Sequence, residues 1–269
     1  MPAQILVVAN CKGGTGKTTT AVNVSAELAG LGLSVLVVDL DPQGHAGLGF
    51  GVVAETAGAT AHSVFRRADA DLSAAVRPGN VAGVDVLPAD PGFRIHTATD
   101  DPDRLKLALG ALRDRYDLIV IDTPPSADLP LIAALVAADC VLIPTQLNHL
   151  AYRGVQQFTR LCFRVILERN PGLGSFALVP VQIDARINLQ RSILARMFTD
   201  FGPEHIFRAI RTDISLAESF GHSCPVSQYR PNSRGSVDYR LLVKDIVSYW
   251  LGSKFSLPGL AARAAVPVA

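Results

Sequence analysis

A glycine-rich segment near the N-terminus constrains the fold of this chain more than any other feature. It lies between an apolar run at residues 4–9, which predicts a strand buried on both faces, and a helical pattern at residues 17–30. The segment reads Cys11-Lys12-Gly13-Gly14-Thr15-Gly16-Lys17-Thr18-Thr19-Thr20. Glycines at such a turn let backbone N–H groups point inward around phosphate oxygens, and the following helix contributes the positive end of its dipole. The sequence therefore predicts a phosphate-binding loop.

Short apolar runs alternate with longer helical patterns along the rest of the chain. The predicted strands are residues 4–9, 34–39, 117–122, 140–144, 176–181 and 205–210. The predicted helices are residues 17–30, 102–115, 128–138, 150–169, 188–200 and 235–251, with only short helices and loops in residues 44–98. This alternation predicts a doubly wound α/β fold, a mainly parallel sheet with helices on both faces. We expect a single domain over residues 1–253 and a flexible tail over residues 254–269.

Composition and charge exclude two classes of protein. The 269 residues carry a net charge of +1 and 49% of them are hydrophobic, so the chain is neither a globally basic nucleic-acid binder nor disordered. Residues 1–185 sum to −4 and residues 186–269 to +5, which indicates either an anion-binding face or a chance imbalance. The four cysteines lack metal-ligand spacing, and no signal peptide or bilayer-spanning stretch is visible. We therefore expect a cytoplasmic protein.

Polar residues of the loop and of two strand ends have the chemistry to hold a nucleotide and its metal. Lys17 is expected to reach the terminal phosphates, and the Thr18 hydroxyl to ligate Mg²⁺. Asp39 and Asp122 close two predicted strands, at the edge of a parallel sheet where ligands bind. We expect Asp122 to hold Mg²⁺ through water. For Asp39 two roles stay open, a place in the metal shell or a polar strand end.

Three segments resemble the signature motifs of a known family. They are the loop from Lys12 to Thr18, the run Asp39-Leu40-Asp41-Pro42-Gln43-Gly44, and the run Tyr116-Asp117-Leu118-Ile119-Val120-Ile121-Asp122-Thr123-Pro124-Pro125. In that order they resemble the deviant Walker A motif, the second motif and the Walker B motif of the ParA/MinD family of P-loop ATPases. Further matching segments lie at residues 138–154, 216–226 and 232–239. One departure is Cys11, which stands where the generic loop pattern has its first glycine.

Within this family the chain is most similar to small, Soj-like ParA partition ATPases, which lack an N-terminal helix-turn-helix domain. Because the first predicted strand begins at residue 4, we expect no such domain in this chain. The resemblance implies a P-loop ATP hydrolase that uses ATP and Mg²⁺. It also implies an ATP-dependent homodimer that hydrolyses ATP slowly unless a partner stimulates it.

The resemblance also implies roles for individual residues. Lys12 matches the family's signature lysine, which crosses the dimer interface to the partner's phosphates; the alternative is a solvated lysine at a loop edge. Asp41 matches the aspartate that positions the attacking water; the alternative is a turn cap before Pro42. The implied ATP-binding residues are Lys12, Gly13, Gly14, Thr15, Gly16, Lys17, Thr18 and Thr19. Catalytic roles fall to Lys12, Lys17 and Asp41, and metal roles to Thr18, Asp122 and Asp39.

The family's DNA-contacting arginines align with Arg211 and Arg234, and Arg186 lies nearby in sequence. The resemblance therefore implies non-specific binding of duplex DNA and a cytoplasmic, nucleoid-associated protein, although solvated surface arginines are the alternative. A ParB-like or other small adaptor would stimulate hydrolysis. The cargo would be a chromosome, a plasmid or a protein body such as a carboxysome.

Three alternative functions belong to proteins with the same scaffold. A MinD/FlhG-like positioning ATPase would need a membrane-binding C-terminal helix. The apolar stripe Val237, Leu241, Ile246, Val247 and Trp250 is instead expected to pack on the core, so we expect no membrane partner. A metabolic ligase of the dethiobiotin-synthetase type would leave Lys12 and the C-terminal segments unexplained. Iron–sulfur relatives need cysteine ligands in a pattern that this chain lacks.

Overall fold

Eight strands form one sheet in the computed structural model, which describes residues 2–54, 58–67 and 69–252. The strands are β1 (Gln4–Val8), β2 (Val35–Asp39), β3 (Arg77–Pro78), β4 (Val84–Leu87), β5 (Leu118–Asp122), β6 (Cys140–Gln146), β7 (Ser175–Ile183) and β8 (Ile210–Arg211). Their order across the sheet is β3-β4-β2-β5-β1-β6-β7-β8, and all neighbours are parallel except β3 and β4. This confirms the predicted doubly wound, mainly parallel sheet. The expected tail, residues 254–269, lies outside the described residues.

Helices cover both faces of this sheet. They are α1 (Lys17–Gly30), α2 (His45–Leu48), α3 (Asp103–Gly110), α4 (Leu129–Ala137), α5 (His149–Glu168), α6 (Asn188–Phe201), α7 (Ser215–Gly221), α8 (Val226–Tyr229) and α9 (Arg234–Ile246). Because side chains alternate along a strand, Ile5 and Val7 of β1 join one core layer, with α3 to α6. Leu6 and Val8 join the other layer, with α1 and α9. The continuous apolar strands are thus buried on both sides.

Three sequence predictions about secondary structure need correction. The strand predicted at residues 205–210 is mostly absent, because Gly202 and Pro203 lead into a 3-10 turn and Ile206 forms only an isolated bridge with Leu178. The helix predicted to start at residue 102 begins at Asp103 and ends five residues before the predicted end. Residues 44–98 contain β3 and β4 besides short helices, and β4 pairs with β2.

The C-terminal helix packs on the core, as the sequence predicts. Tyr239 of α9 is fully buried, and its hydroxyl lies 3.1 Å from that of Thr20 in α1. Ile246 and Val247 are also buried, whereas Trp250 is half-buried against the same layer. Within the described part of the chain, no helix combines the length and apolar character needed to cross a membrane.

The alignment of strands brings the acidic strand ends together. Asp39 at the end of β2 is paired with Asp122 at the end of β5, and Asp122 is also paired with Val8 at the end of β1. The loop that follows β1 therefore starts beside both carboxylates. This is the edge of a parallel sheet at which ligands bind.

Candidate functional site

The loop between β1 and α1 has the backbone geometry of a phosphate cradle. Gly14 and Gly16 adopt left-handed conformations, with φ of 71° and 77°, which residues with a side chain rarely adopt. Asn10 fixes the start of the loop. Its side-chain amide donates to the Pro144 carbonyl at 2.9 Å, and its side-chain oxygen accepts from the Lys12 N–H at 3.1 Å. The loop therefore holds its shape through its own hydrogen bonds at the N-terminus of α1.

The two lysines of the loop have different surroundings. Lys17 is 7% exposed, and its ammonium donates to the Lys12 carbonyl at 3.2 Å, as does the Thr15 hydroxyl. Burial lowers the pKa of Lys17, and the charges of Asp122 and Asp41 oppose that change. Lys12 is half-buried, and its ammonium makes no hydrogen bond or ion pair with any residue that the structure describes. One lysine is thus locked in the loop, and the other is available to a ligand.

Asp122 ends β5 as a fully buried carboxylate. Neither of its oxygens has a hydrogen bond of normal geometry with a described residue, although the Thr18 hydroxyl is close enough to act on the carboxylate. Burial and the charge of Asp39 raise the pKa of Asp122 well above its ordinary range, and the Thr18 hydroxyl and the Lys17 ammonium oppose that rise. A buried carboxylate without a partner is unfavourable, so a cation would complete this site.

Mg²⁺ fits the residues present at this strand end. Its preferred ligands are oxygens such as the Asp122 carboxylate and the Thr18 hydroxyl, and it usually keeps several waters and phosphate oxygens. In the described ranges, no group of three or more His, Cys, Asp and Glu side chains could hold a metal ion by itself. The metal would therefore depend on a bound phosphate for part of its coordination shell.

Asp39 ends β2 and Asp41 lies in the turn that follows, and the two carboxylates make different hydrogen bonds. Both oxygens of Asp39 accept backbone N–H groups, from Asp41 at 3.1 Å and from Gly47 at 3.0 Å. Burial raises the pKa of Asp39, and these hydrogen bonds oppose that rise. Asp41 accepts the Gln43 N–H at 3.0 Å through one oxygen, and its second oxygen bonds to no described residue. The geometry favours Asp39 as a strand end that holds the turn, and it is compatible with both roles of Asp41.

Two glutamines beside the loop were missed by sequence reasoning. Gln146 ends β6, and its side-chain amide donates to the Gly14 carbonyl at 3.2 Å and to the Gln182 side-chain oxygen at 2.8 Å. Gln182 has φ of 55°, a left-handed conformation that strains a residue with a side chain. The sequence carried a signal for Gln146, which closes a segment resembling the family. It carried none for Gln182.

A cavity of about 470 Å³ adjoins the loop on the β7 and β8 side. Its lining includes Gly16, Thr19, Val181, Gln182, Ile210, Thr212, Asp213, Ile214, Leu216 and Phe220. A largely apolar lining with a few polar groups is typical of a small-molecule site. No local motif predicts it, because its walls come from segments that are far apart in the sequence.

The three arginines predicted to contact DNA come together near α9, but two of them are already paired. Arg211 forms an ion pair with Asp238 at 2.7 Å, and Arg186 forms one with Asp184 at 2.6 Å. Arg186 lowers the pKa of Asp184 to about 2, with a smaller contribution from Arg234. Arg234 itself has no hydrogen bond or ion pair with a described residue. The structure thus leaves one of the three, Arg234, without a hydrogen bond or ion pair to a described residue, and its charge still acts on Asp184.

The sheet order, the glycine loop and the buried strand-end carboxylates define a P-loop nucleotide-binding protein. Comparisons with known proteins agree, since residues 3–174 match the family described as AAA domain. The chain is also 36% identical over 248 residues to the chromosome-partitioning ATPase Soj of Thermus thermophilus, which covers 90% of this chain and 95% of that protein. The chain therefore belongs to the Soj/ParA family of P-loop ATPases.

Two solved structures have the same fold. Apo McdA from Cyanothece superposes with a TM-score of 0.80 at 22% identity, covering 91% of this chain and 99% of that one. Cobyrinic acid a,c-diamide synthase from Mycobacterium smegmatis, with bound ADP and magnesium, superposes with a TM-score of 0.75 at 29% identity, covering 94% of this chain and 97% of that one. The fold is thus shared by proteins whose names differ, so function must be argued from the site.

Proposed function

We propose that this ATPase forms an ATP-dependent homodimer, coats DNA without sequence preference, and is released when a cargo adaptor stimulates hydrolysis. The observation that carries the proposal is Lys12. Lys12 is half-buried beside the phosphate cradle, yet its ammonium bonds to no described residue. A lysine in this position is stabilised by an anion. Phosphates bound in a second copy would supply that anion and would join the two copies.

In this proposal ATP binds along the loop, through Lys12, Gly13, Gly14, Thr15, Gly16, Lys17, Thr18 and Thr19. Lys17 would neutralise charge on the terminal phosphates. Thr18 and Asp122 would hold Mg²⁺, which would supply a Lewis acid next to those phosphates. Asp41 orients that water through the oxygen that the turn leaves free. Asp39 supports Asp41, because its carboxylate accepts the Asp41 N–H at 3.1 Å. The unpartnered oxygens of Asp122 support the metal role.

The nucleoside part of ATP is assigned to the cavity on the β7 and β8 side. Gly16 and Thr19 line this cavity as well as belonging to the loop, so a nucleotide could occupy both. The volume of about 470 Å³ is in the range of small-molecule sites. Gln182, on the cavity wall, supplies amide groups for the base or the ribose.

The DNA-binding surface in this proposal is centred on Arg234. This residue begins α9, is exposed and is unpaired among the described residues. Arg211 and Arg186 are also exposed, although their ion pairs with Asp238 and Asp184 must be shared with a phosphate. Arginine contacts to phosphate require no base reading, which suits non-specific binding.

The relatives' names support segregation or positioning of a cargo, and Soj of Thermus thermophilus is named for chromosome partitioning. We propose a chromosome, a plasmid or a protein body such as a carboxysome as the cargo, linked by a ParB-like or other small adaptor. The protein would act in the cytoplasm at the nucleoid, with no membrane partner.

The test is retention of the purified protein on random-sequence duplex DNA with ATP·Mg²⁺ and with ADP, at low and high salt. Liposome co-sedimentation is the parallel control. Retention only with ATP, and weaker at high salt, is the expected result. Pelleting on anionic liposomes without DNA binding would replace the proposal with a membrane-bound switch. If the protein bound neither DNA nor liposomes, a metabolic ligase would again become the function to test.

A further inference from the structure

His62 is a buried polar residue that neither the motifs nor the nucleotide site accounts for. It lies in the 3-10 turn Ala61–Phe65, and none of its surface is exposed. Its Nε2 lies 3.1 Å from the Leu40 carbonyl oxygen, and its Nδ1 accepts the Asp90 N–H at 3.0 Å. Leu40 directly precedes Asp41, so His62 bonds to the turn that carries the carboxylate assigned to the attacking water.

The two partners of His62 fix which ring nitrogen carries the proton. The Leu40 carbonyl can only accept a hydrogen bond, and the Asp90 N–H can only donate one. Both bonds exist together only if the ring is neutral, with hydrogen on Nε2 and a lone pair on Nδ1. Burial lowers the pKa of His62 to about 4, against the opposing effects of the Leu40 hydrogen bond and the Asp90 charge. At neutral pH the ring is therefore a neutral donor to Leu40.

The Leu40–Asp41 peptide is held at both of its polar atoms. Its carbonyl accepts from His62, and its N–H donates to the Asp39 carboxylate at 3.1 Å. The Leu40 N–H, in the preceding peptide, donates to the Asp122 carbonyl at 3.0 Å. A planar peptide unit whose carbonyl and N–H are both bonded cannot turn without breaking one of those bonds. The direction in which the Asp41 side chain leaves the backbone is thus set in part by His62.

His62 is itself held firmly by its surroundings. Its ring stacks on Phe93, with centroids 4.2 Å apart and planes 28° apart, and its centroid lies 6.3 Å from that of Phe65. The turn that carries it is closed by a capping box, in which Thr60 and Ser63 each accept the backbone N–H of the other. A side chain locked by packing and by two hydrogen bonds can fix the position of a neighbouring group.

We propose that His62 is a positioning residue for ATP hydrolysis, which holds the Leu40–Asp41 peptide so that the Asp41 carboxylate faces the attacking water. This rests on the proposed function, because the role of Asp41 is part of it. His62 itself would touch neither ATP nor water, since it is fully buried and both of its nitrogens are bonded. Loss of its bond to Leu40 should therefore slow the chemical step without weakening ATP binding.

The test compares His62→Gln with His62→Asn. The glutamine amide reaches about as far as Nε2 and can still donate to the Leu40 carbonyl, whereas the asparagine amide reaches about as far as Nδ1 and can bond only to Asp90. Both variants lose the ring that stacks on Phe93, so they are matched in packing. We expect kcat to fall about tenfold or more in His62→Asn and to stay within about threefold of wild type in His62→Gln, with ATP affinity unchanged in both.

Val64→Ala is the control for packing. Val64 is buried in the same turn, and its truncation removes apolar volume but neither hydrogen bond of His62, so Tm should fall and kcat should not. Single-turnover hydrolysis of radiolabelled ATP gives the rates, a fluorescent ATP analogue the affinity, and thermal melts the stability. If the rate follows Tm across the three variants, or falls equally in the asparagine and glutamine variants, His62 only supports the fold and the proposal is wrong. Weaker ATP binding by His62→Asn at an unchanged rate would also overturn it.

The tautomer of His62 gives a readout that depends on no variant. In the wild-type chain with isotope-labelled histidine, NMR at neutral pH should show hydrogen on Nε2 and none on Nδ1. The His62 signal is assigned by its through-space contacts with the Phe93 ring, which lies 4.2 Å away. A ring with hydrogen on Nδ1 alone could not donate to the Leu40 carbonyl, and it would overturn the proposal even if neither substitution folded.

A double variant separates this proposal from the one it rests on. In an Asp41→Ala background, His62→Asn should cause no further loss of rate, because both residues act on the same step. A further loss as large as in the wild-type background would show that His62 acts without Asp41, which refutes positioning. A slow Asp41→Ala variant beside a fast His62→Asn variant would leave the water role standing and refute only the role of His62. Normal hydrolysis by Asp41→Ala would instead refute the water role in the proposed function, and positioning with it.

Discussion

The phosphate end of the sheet and the arginine surface near α9 are both rich in charge, but they differ in how those charges are satisfied. At the phosphate end, both oxygens of Asp122 and the ammonium of Lys12 have no partner among the described residues. Near α9, Arg211 is held by Asp238 and Arg186 by Asp184. Unsatisfied buried groups favour binding of the missing ligand, whereas paired surface charges must exchange one partner for another. We therefore expect substitutions at the first region to have larger effects on binding than those at the second.

The largest effect is expected from Lys17→Ala. Lys17 is buried among the carboxylates and is the cation best placed for the terminal phosphates. Loss of a charge-assisted hydrogen bond of about 1.5–3 kcal/mol should weaken ATP binding roughly 10- to 100-fold, and ATP-dependent DNA retention should fall with it. Titration with a fluorescent ATP analogue measures this. Lys244→Ala, which removes an exposed lysine of α9, is the control. An equal loss of ATP affinity in this variant would contradict the larger effect expected at the phosphate end of the sheet.

Asp41 should affect turnover without affecting binding. Asp41→Ala should keep ATP and DNA binding but slow hydrolysis by about a hundredfold or more, because it removes the carboxylate that we propose to orient the attacking water. Asp41→Asn sharpens the result. Asparagine can still accept the Gln43 N–H, as Asp41 does at 3.0 Å, but it lacks the charge. Slow turnover in both variants supports the water-positioning role, and slow turnover in the alanine variant alone identifies a turn cap.

Asp122→Asn should stabilise the nucleotide-free protein while removing its response to Mg²⁺. Burial and Asp39 raise the pKa of Asp122 in the folded chain above its unfolded value. The folded state therefore binds the proton more tightly, and its stability falls as pH rises from the unfolded pKa through the folded one. The neutral amide avoids that loss near neutral pH. Thermal unfolding should show a higher Tm without nucleotide, by about 2–4 °C for each kcal/mol recovered.

The control for this experiment is the wild-type chain at acidic pH, where Asp122 is protonated and the difference in Tm should shrink. ATP·Mg²⁺ should stabilise the wild type more than the variant, since the metal binds the ionised carboxylate. A variant that is less stable than the wild type at neutral pH would show that Asp122 is satisfied in the free protein.

The smallest effects are expected at the arginine surface near α9. There, Arg234→Ala should change DNA binding, whereas Arg211→Ala should change the stability of the fold. Arg234→Ala should leave Tm unchanged and lower the salt slope of DNA binding by about 0.9, the value for one lost phosphate contact. Arg211→Ala leaves Asp238, whose side chain is 6% exposed, without its guanidinium. It should destabilise the fold by about 1–2 kcal/mol. DNA-binding isotherms at several salt concentrations and thermal melts check both, and a large change in Tm for Arg234→Ala would show that it is a structural residue.

Much of the nucleotide site could be predicted from sequence because its determinants are local. The glycines and lysines of the loop lie in one continuous run from Lys12 to Thr18. The strand before the loop is likewise predicted by its own apolar residues, without reference to the rest of the chain. Asp39 and Asp122 could be placed at strand ends because apolar runs stop there. The central strands and most of the helices were found in the same way, from short-range patterns.

Features that depend on distant partners could not be predicted. β4 forms because Val84–Leu87 finds the edge of β2, and no pattern in its four residues requires this. Gln146, the last residue of β6, donates hydrogen bonds to Gly14 and Gln182. Both partners lie far from Gln146 in the sequence, so no local pattern predicts these contacts. The cavity of about 470 Å³ on the β7 and β8 side has the same origin.

The sequence by itself determined the family, the parallel sheet and the phosphate loop, because each of these follows from contiguous residues. The tertiary structure decided which charges are free. It paired Arg211 with Asp238 across the β8 and α9 segments, and it left Lys12 and Arg234 without partners among the described residues. The physical reason is that a charge is compensated or exposed according to what the fold brings within a few ångströms, and that distance is a property of packing.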